Sequence, residues 1–175
     1  MLTKITSYSL FLMLLGGFLM VGCSKSDDQR KFENEALATP QNITETKNDG
    51  TVINIDEDDW RISPMYQGQI SIGLQNDEPP FPNPVLFNSN LTIQLYFRTD
   101  SPVNALDIRR FRYPNSDVFT QVDFIPQDQL NAYNNITIPA SQIAIGEGSS
   151  ASGLYRLLIY DGNQNLITYG DIEVQ

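Results

Sequence analysis

The amino-acid sequence predicts an all-β protein, a single antiparallel β-sandwich of about seven short strands. Three observations support this fold class. In residues 60–175, apolar and polar residues alternate in several short segments, the period of two that is typical of strands with one buried face. Clusters of Pro, Gly, Asn and Ser separate these segments, as expected at turns. No window of about 11 residues shows the periodicity of an amphipathic helix.

The strands are predicted one after another from residue 70 onwards. The clearest covers residues 91–97, where every second residue is large and apolar. In residues 106–113 the alternation changes phase, which predicts a β-bulge near Arg109 and Arg110. Residues 154–160 read as a nearly continuous apolar strand, and Asp161-Gly162 predicts a hairpin into residues 166–174. Further strands are expected at residues 70–74, 118–124 and 136–138, with one helical turn at residues 141–145.

Residues 78–85 hold four prolines, in the order Glu-Pro-Pro-Phe-Pro-Asn-Pro-Val. Proline cannot donate to a sheet ladder, so we expect this segment to cross between the sheets or to run along an edge. A proline-rich ligand for an aromatic groove is the alternative.

The first 22 residues have the parts of a secretory signal, with Lys4 before an apolar run at residues 10–21. This run is shorter than the roughly 20 apolar residues that span a bilayer, so we expect cleavage. Residues 19–23, Leu-Met-Val-Gly-Cys, resemble the lipobox of bacterial lipoproteins, with Met20 where Leu is usual. The resemblance implies that Cys23 becomes the lipidated first residue. An ordinary signal peptide is the alternative, but it leaves the chain's only cysteine unexplained.

Residues 23–59 are predicted to be the lipidated cysteine and a disordered acidic tether, since few of them are large and apolar. A random coil of this length spans roughly 30–36 Å. Residues 51–55 are the exception and are expected to form a short edge strand or a docking segment. Trp60 is expected to mark the start of the folded domain, residues 60–175.

The residues after Cys23 bear on location. Lys25, Ser26, Asp27 and Asp28 resemble the surface-export signal of lipoproteins in the Bacteroidota. This resemblance implies an outer-membrane lipoprotein that faces the cell exterior. An ordinary solvated leader on a periplasmic protein is the alternative.

Residues 81–175 carry short motifs in a familiar order. A Pro82-Asn83-Pro84 turn comes before the strand at 91–97, Gly153-Leu154-Tyr155 opens a later strand, and a strand ends the chain. This order resembles the C-terminal sorting domain of type IX secretion cargo in the Bacteroidota and implies an Ig-like sandwich. Residues 109–113 depart from the family, which has a Gly-Lys turn there, and a lipid anchor would be redundant with sorting. We therefore expect a binding or structural module.

Composition excludes some kinds of chemistry. The net charge of −10 does not favour nucleic acid. Histidine is absent, which removes the commonest general base and metal ligand near neutral pH. Neither a Gly-x-Ser-x-Gly elbow nor a phosphate-binding glycine loop occurs. We expect no enzyme, no cofactor, no metal and no small-molecule substrate.

Two charged clusters are candidate sites. Residues 56–59 are four adjacent carboxylates, so calcium binding is one interpretation, but the ligand spacing and turn glycine of a calcium loop are missing. A solvated acidic run is favoured. Because arginine and aromatic residues are enriched at interfaces, the second cluster is a candidate protein-binding surface, although a solvated strand is the alternative. It comprises Arg109, Arg110, Phe111, Arg112 and Tyr113.

The leading functional hypothesis is an outer-membrane lipoprotein without enzymatic activity. It would be held in the membrane by Cys23 and would bind another outer-membrane or surface protein, as an accessory or structural subunit of a secretion, gliding or assembly machine. One alternative is a glycan-binding or adhesion module that uses exposed tyrosines; the candidates are Tyr96, Tyr113, Tyr133, Tyr155 and Tyr169. A type IX cargo or sorting domain is the other.

Overall fold

A computed structural model describes residues 25–74, 78–114 and 119–175. In chain order, its elements are α1 (Asp27–Glu35), β1 (Glu45–Thr46), β2 (Val52–Asn54), β3 (Ile70–Ile72), β4 (Asn90–Phe97), β5 (Ala105–Arg112), β6 (Thr120–Pro126), β7 (Tyr133–Pro139), α2 (Ala140–Ile143), β8 (Gly153–Asp161) and β9 (Leu166–Val174). Antiparallel strands form a three-stranded sheet, β3-β4-β7, and a four-stranded sheet, β6-β5-β8-β9. The predicted all-β sandwich is confirmed.

The main core lies between these two sheets. In β4 every second side chain, at Leu91, Ile93 and Leu95, is fully buried. They pack with side chains of the four-stranded sheet, among them Ile108 and Leu157, in one hydrophobic cluster. The alternation at residues 91–97 therefore has the expected cause, since one face of the strand meets the core and the other meets solvent.

One local prediction about the four-stranded sheet is confirmed and one is corrected. The pairing of β5 with β6 shifts register between Ile108 and Arg109, but the extra residue is Val122 of β6, and β5 pairs with β8 without a break. The phase change predicted as a bulge in β5 instead reflects two buried faces, since Ile108 lies in the main core and Phe111 in a second cluster on the outer face. Strands β8 and β9 form a hairpin, in which the Asp161 carboxylate accepts hydrogen bonds from the backbone N–H groups of Asn163 and Asn165. The short helix α2 stands where one helical turn was expected.

The proline-rich segment links the two sheets, as predicted. Phe81 forms a β-bridge with Thr92 in the three-stranded sheet, and Val85 bridges to Val174 at the edge of the four-stranded sheet. Between them, Asn83 is fully buried. The prolines fit here because a crossover needs few ladder hydrogen bonds.

The predicted disordered tether is wrong for residues 27–59. Helix α1 packs on the outer face of the four-stranded sheet, where Phe32 and Ala36 join a second hydrophobic cluster with Leu158 and Tyr169. The short ribbon β1–β2 follows it. Only a few apolar residues of this segment are buried, Phe32 and Ala36 among them. Hydrogen bonds to distant residues add to these contacts, from the Arg156 side chain and from the backbone and side chain of Asn83. Packed structure therefore begins well before Trp60.

Candidate functional site

A buried arginine lies under the C-terminal end of α1. Arg156 stands in β8 directly opposite Asp171 of β9. Its Nε and Nη2 donate to the two carboxylate oxygens of Asp171 at 2.8 and 2.6 Å. The two side chains are only 4% and 2% exposed. Charges this deeply buried persist only when they are paired and hydrogen-bonded, and this pair is both.

Arg156 also holds the end of the helix. Its Nη1 donates to the carbonyl oxygens of Glu35, Ala36 and Ala38 at 3.3, 2.9 and 2.7 Å. The last carbonyls of a helix have no partner within it, and a cation there interacts favourably with the helix dipole. The guanidinium also lies over the rings of Tyr113 and Tyr169, at 5.3 and 5.0 Å from their centroids.

A second carboxylate lies next to this pair. Asp59 accepts hydrogen bonds from the backbone N–H groups of Thr44 and Asp171, at 2.9 and 3.1 Å. Burial and the nearby charge of Asp171 raise the pKa of Asp59 to about 7. Burial raises the pKa of Asp171 as well, whereas its pairing with Arg156 opposes the rise. Of the two neighbouring carboxyl groups, we therefore place the proton on Asp59 and the negative charge on Asp171.

A cleft of about 680 Å³ opens between α1 and residues 55–70. Its apolar lining includes Trp60 and Phe32, and Ile55 at its margin is 62% exposed. Arg61, which donates to Glu35 at 2.9 Å, also lines the cleft. Three further carboxylates in its wall have no ion pair with any cation among the described residues: Asp28, Asp56 and Glu57.

The predicted lipidation residue Cys23 lies outside the described residues. The residues that resemble an export signal begin α1. Ser26 is its N-cap and accepts a hydrogen bond from the Gln29 N–H, while Asp27 and Asp28 lie in its first turn. Lys25 pairs with Glu33 at 2.7 Å. Helix capping is thus a structural role for this Ser-Asp-Asp sequence, and the export signal stays a prediction.

The structure divides the predicted interaction surface between two faces of β5, because successive residues of a strand point in opposite directions. Phe111 is buried in the cluster under α1, and the Tyr113 hydroxyl donates to the Ala38 carbonyl at 2.6 Å. Arg112 lies over the buried ring of Tyr155 and donates to the Ser150 and Ser152 carbonyls.

The two other arginines are also separated. Arg109 pairs with Asp107 on the outer face. The Nε and Nη1 atoms of Arg110 are buried and find no hydrogen-bond partner among the described residues. The five residues therefore do not form one continuous surface, and two of them, Phe111 and Tyr113, bind the chain's own leader.

The favoured interpretation of residues 56–59 as a solvated run is wrong for Asp59, which is buried. Its carboxylate accepts backbone N–H groups instead of facing solvent, because the chain turns inward at Asp59 and Trp60 to pack on β9. Asp58 lies within 3.4 Å of Arg61. Among the described residues, no group of three or more His, Cys, Asp or Glu side chains could hold a metal ion.

The tyrosines proposed for glycan binding also differ in exposure. Tyr155 and Tyr169 are buried, and Tyr113 is bound to the leader. Tyr96 and Tyr133 form a tilted ring pair with centroids 4.8 Å apart, and Tyr133 is 40% exposed. Only this pair remains as a candidate sugar-stacking surface.

Sequence reasoning missed Arg156, Asp171 and Asp59. A signal for the first was present, since Arg156 is the one charged residue inside the apolar run at 154–160. A charge at such a position predicts a buried partner. The hairpin register then places Asp171 opposite it.

No family model matches the chain, and no curated protein matches it. Among solved structures, it is similar to the superoxide reductase (neelaredoxin) from Ignicoccus hospitalis, at 9% identity over 61% of this chain and 80% of that one, with a TM-score of 0.38. A variant of that protein matches at 8% identity over 65% and 87%, with the same TM-score. Likeness at this level gives no argument about the function of the present chain.

One expectation is corrected here. The sequence predicted that the chain is not an enzyme, because histidine and the common catalytic motifs are absent. The solved structures named above are enzymes, and the absence of familiar motifs does not exclude catalysis, so that prediction is withdrawn. Among the described residues, no helix is long and apolar enough to cross a membrane.

Proposed function

We propose that this chain is a lipoprotein of the bacterial outer membrane, anchored by acylation of Cys23 and facing the cell exterior. It binds another outer-membrane or surface protein, as an accessory or structural subunit of a secretion, gliding or assembly complex. The lipobox-like residues 19–23 support the anchor. The cleft beside α1 supports the binding role, and the proposal depends on it more than on any other structural feature.

The chemistry of the cleft suggests what it binds. An apolar floor with Trp60, bordered by the exposed Ile55, suits an aliphatic or aromatic anchor residue. The unpaired carboxylates Asp28, Asp56 and Glu57 favour a neighbouring lysine or arginine. The cleft therefore fits a basic segment of a partner protein, and electrostatic attraction between the two should weaken with added salt.

A pair of matched double variants tests this role in the source bacterium. Ile55→Ser with Glu57→Lys removes an exposed apolar side chain and reverses a charge at the cleft. Ile145→Ser with Glu147→Lys makes the same changes at exposed residues that do not line the cleft. Tagged proteins are purified from detergent-solubilised outer membranes, and co-purifying proteins are quantified at low and high salt.

We expect wild type and the Ile145/Glu147 control to retain one stoichiometric partner at low salt, and the Ile55/Glu57 variant to lose at least nine tenths of it. The partner should carry a basic segment that cross-links to the cleft. Equal recovery with both variants, or no stoichiometric partner at all, would contradict the proposed role of the cleft.

The Tyr96–Tyr133 pair favours glycan binding as a second candidate function. Exposed aromatic rings can stack on the apolar faces of sugars, and Tyr133 offers such a ring. Titration of the protein with outer-membrane polysaccharide, read by tyrosine fluorescence, should show saturable binding that Tyr133→Ala abolishes. Unchanged binding by Tyr133→Ala would reject this surface.

A further inference from the structure

The leader of this protein is docked, and the docking changes what a lipid anchor at Cys23 would do. Four sets of contacts hold residues 25–44 against the sandwich. Gln29 is buried, and its side-chain oxygen accepts the Met65 N–H at 3.3 Å. Phe32 packs on the Tyr169 ring with centroids 5.1 Å apart.

Hydrogen bonds at the C-terminal half complete the attachment. Arg156 and Tyr113 donate to carbonyl oxygens between residues 35 and 38. Thr44 donates its N–H to Asp59, and its carbonyl accepts from the Asn83 side chain at 2.6 Å. An isolated helix as short as α1 is marginal in water, so these tertiary contacts, and not helix propensity, keep it formed.

We propose that residues 25–44 are a strap that, when docked, holds the sandwich directly against the membrane. The inference rests on the proposed anchor at Cys23. From Cys23 to the N-cap Ser26 the chain takes only three residue steps, which extend to about 11 Å. A disordered leader through residue 59 would instead let the domain move roughly 30–36 Å from the surface.

The membrane-facing end of the domain is then the end that carries the first turn of α1 and Met65, a pair of neighbours in the structure. Apart from Asp28, its charges are paired, Lys25 with Glu33 and Arg30 with Asp27. Such a surface can lie at a lipid headgroup layer without strong electrostatic repulsion.

The single tryptophan of the chain provides a native probe. The full-length lipidated protein is reconstituted into phosphatidylcholine vesicles with a dansyl-labelled phosphatidylethanolamine, and energy transfer from Trp60 to the dansyl groups is measured. One variant carries a flexible insertion of about 12 Gly and Ser residues between Ser24 and Lys25, upstream of the strap. The matched control carries the same insertion between Asn48 and Asp49, in the turn of the β1–β2 ribbon.

If the strap is docked, the upstream insertion lengthens the free tether to about 15 residues, a coil of roughly 19–23 Å, and energy transfer falls. The control insertion leaves energy transfer unchanged, because it lies downstream of the docked segment. If the leader is undocked, both insertions lengthen the same coil, from roughly 30–36 Å to roughly 35–42 Å, and change transfer equally.

Unequal transfer supports the strap, and equal transfer by vesicle-bound proteins overturns it while leaving the anchor intact. Wild-type lipidated protein that does not remain on vesicles would instead contradict the proposed anchor.

As a second measurement, Phe32→Ala should speed tryptic cleavage after Arg30 and Lys31 at least tenfold. Phe124→Ala, at an exposed phenylalanine of β6, should not; equal cleavage rates would also overturn the strap.

Discussion

Replacement of Arg156 by methionine tests the buried ion pair in the four-stranded sheet. Methionine keeps most of the side-chain length but removes all donors, so Asp171 stays buried without its cation. Arg156 makes two charged hydrogen bonds to Asp171 and three to backbone carbonyls of residues 35–38. Removing one partner of a buried pair costs about 3–5 kcal/mol, so we expect Arg156→Met to lower the free energy of unfolding by that amount.

The assay is urea unfolding at pH 8 of the unlipidated protein with its leader present, followed by Trp60 fluorescence. Arg98→Met is the control, since Arg98 and Asp100 form an ion pair with side chains 69% and 70% exposed, and such surface pairs contribute about 1 kcal/mol or less. The double variant with Asp171→Asn should lose less than the sum of the single variants, because the uncompensated charge is then gone. A loss below about 1 kcal/mol for Arg156→Met, or strict additivity, would refute the reasoning.

Three further predictions concern neighbouring residues. The pKa of Asp59 is about 7 in the folded protein, against an ordinary value of 3.8, so the free energy of unfolding falls as pH rises through this window. Urea unfolding at pH 5 and pH 8 should show a smaller fall in this free energy for Asp59→Asn than for wild type. An equal fall in both proteins would contradict the protonation of Asp59. In Gly170→Ala, the new Cβ would lie 2.1 Å from Cε2 of Trp60, so Trp60 must move at a cost of about 1–3 kcal/mol. Fluorescence emission of Trp60 and the melting temperature are measured, and values identical to wild type would show that the ring does not pack there. Asn83→Ala leaves the Thr44 and Asp171 carbonyls and the Glu173 N–H without their partner; we expect thermal unfolding to show a loss of about 2–4 kcal/mol, and a loss under 1 kcal/mol would mean that these groups re-pair.

The sandwich could be predicted because its strands and turns are specified by patterns among neighbouring residues. In residues 91–97 the period of two follows from one buried face, and Asp161-Gly162 specifies a tight turn whatever lies elsewhere. The phase change at residues 106–113, by contrast, reflects two buried faces of β5, with Ile108 in the main core and Phe111 under α1. Each of these signals lies within about ten residues, the range over which pattern reasoning is informative.

The leader could not be predicted in the same way. Helix α1 buries little apolar area, and its C-terminal carbonyls are bound by Arg156, which lies 120 residues from Ala36 in the chain. Composition suggested disorder because it does not record donors supplied from a distant strand. Composition fails at Asp59 for the same reason. Its sequence neighbours are acidic, but the chain turns inward there, and the N–H groups of Thr44 and Asp171 bind its carboxylate.

For the predicted interaction surface, the sequence suggested one cluster where the structure has two faces. Arg109 to Tyr113 form one cluster in sequence, but strand geometry sends Phe111 and Tyr113 toward α1 and Arg112 toward Tyr155. Once these residues are assigned to the strand β5, alternation alone predicts the division. The cleft beside α1, by contrast, arises only when the leader docks, so no reading of residues 60–175 could have found it.

Cell fractionation with a labelled palmitate tests the proposed lipid anchor at Cys23 most directly. Wild-type protein expressed in a bacterium that has an outer membrane should incorporate the label and sediment with that membrane. Cys23→Ala should lose the label and appear in the soluble fraction. A Cys23→Ala protein that stays firmly bound to membranes, or a wild-type protein that carries no label, would contradict the account.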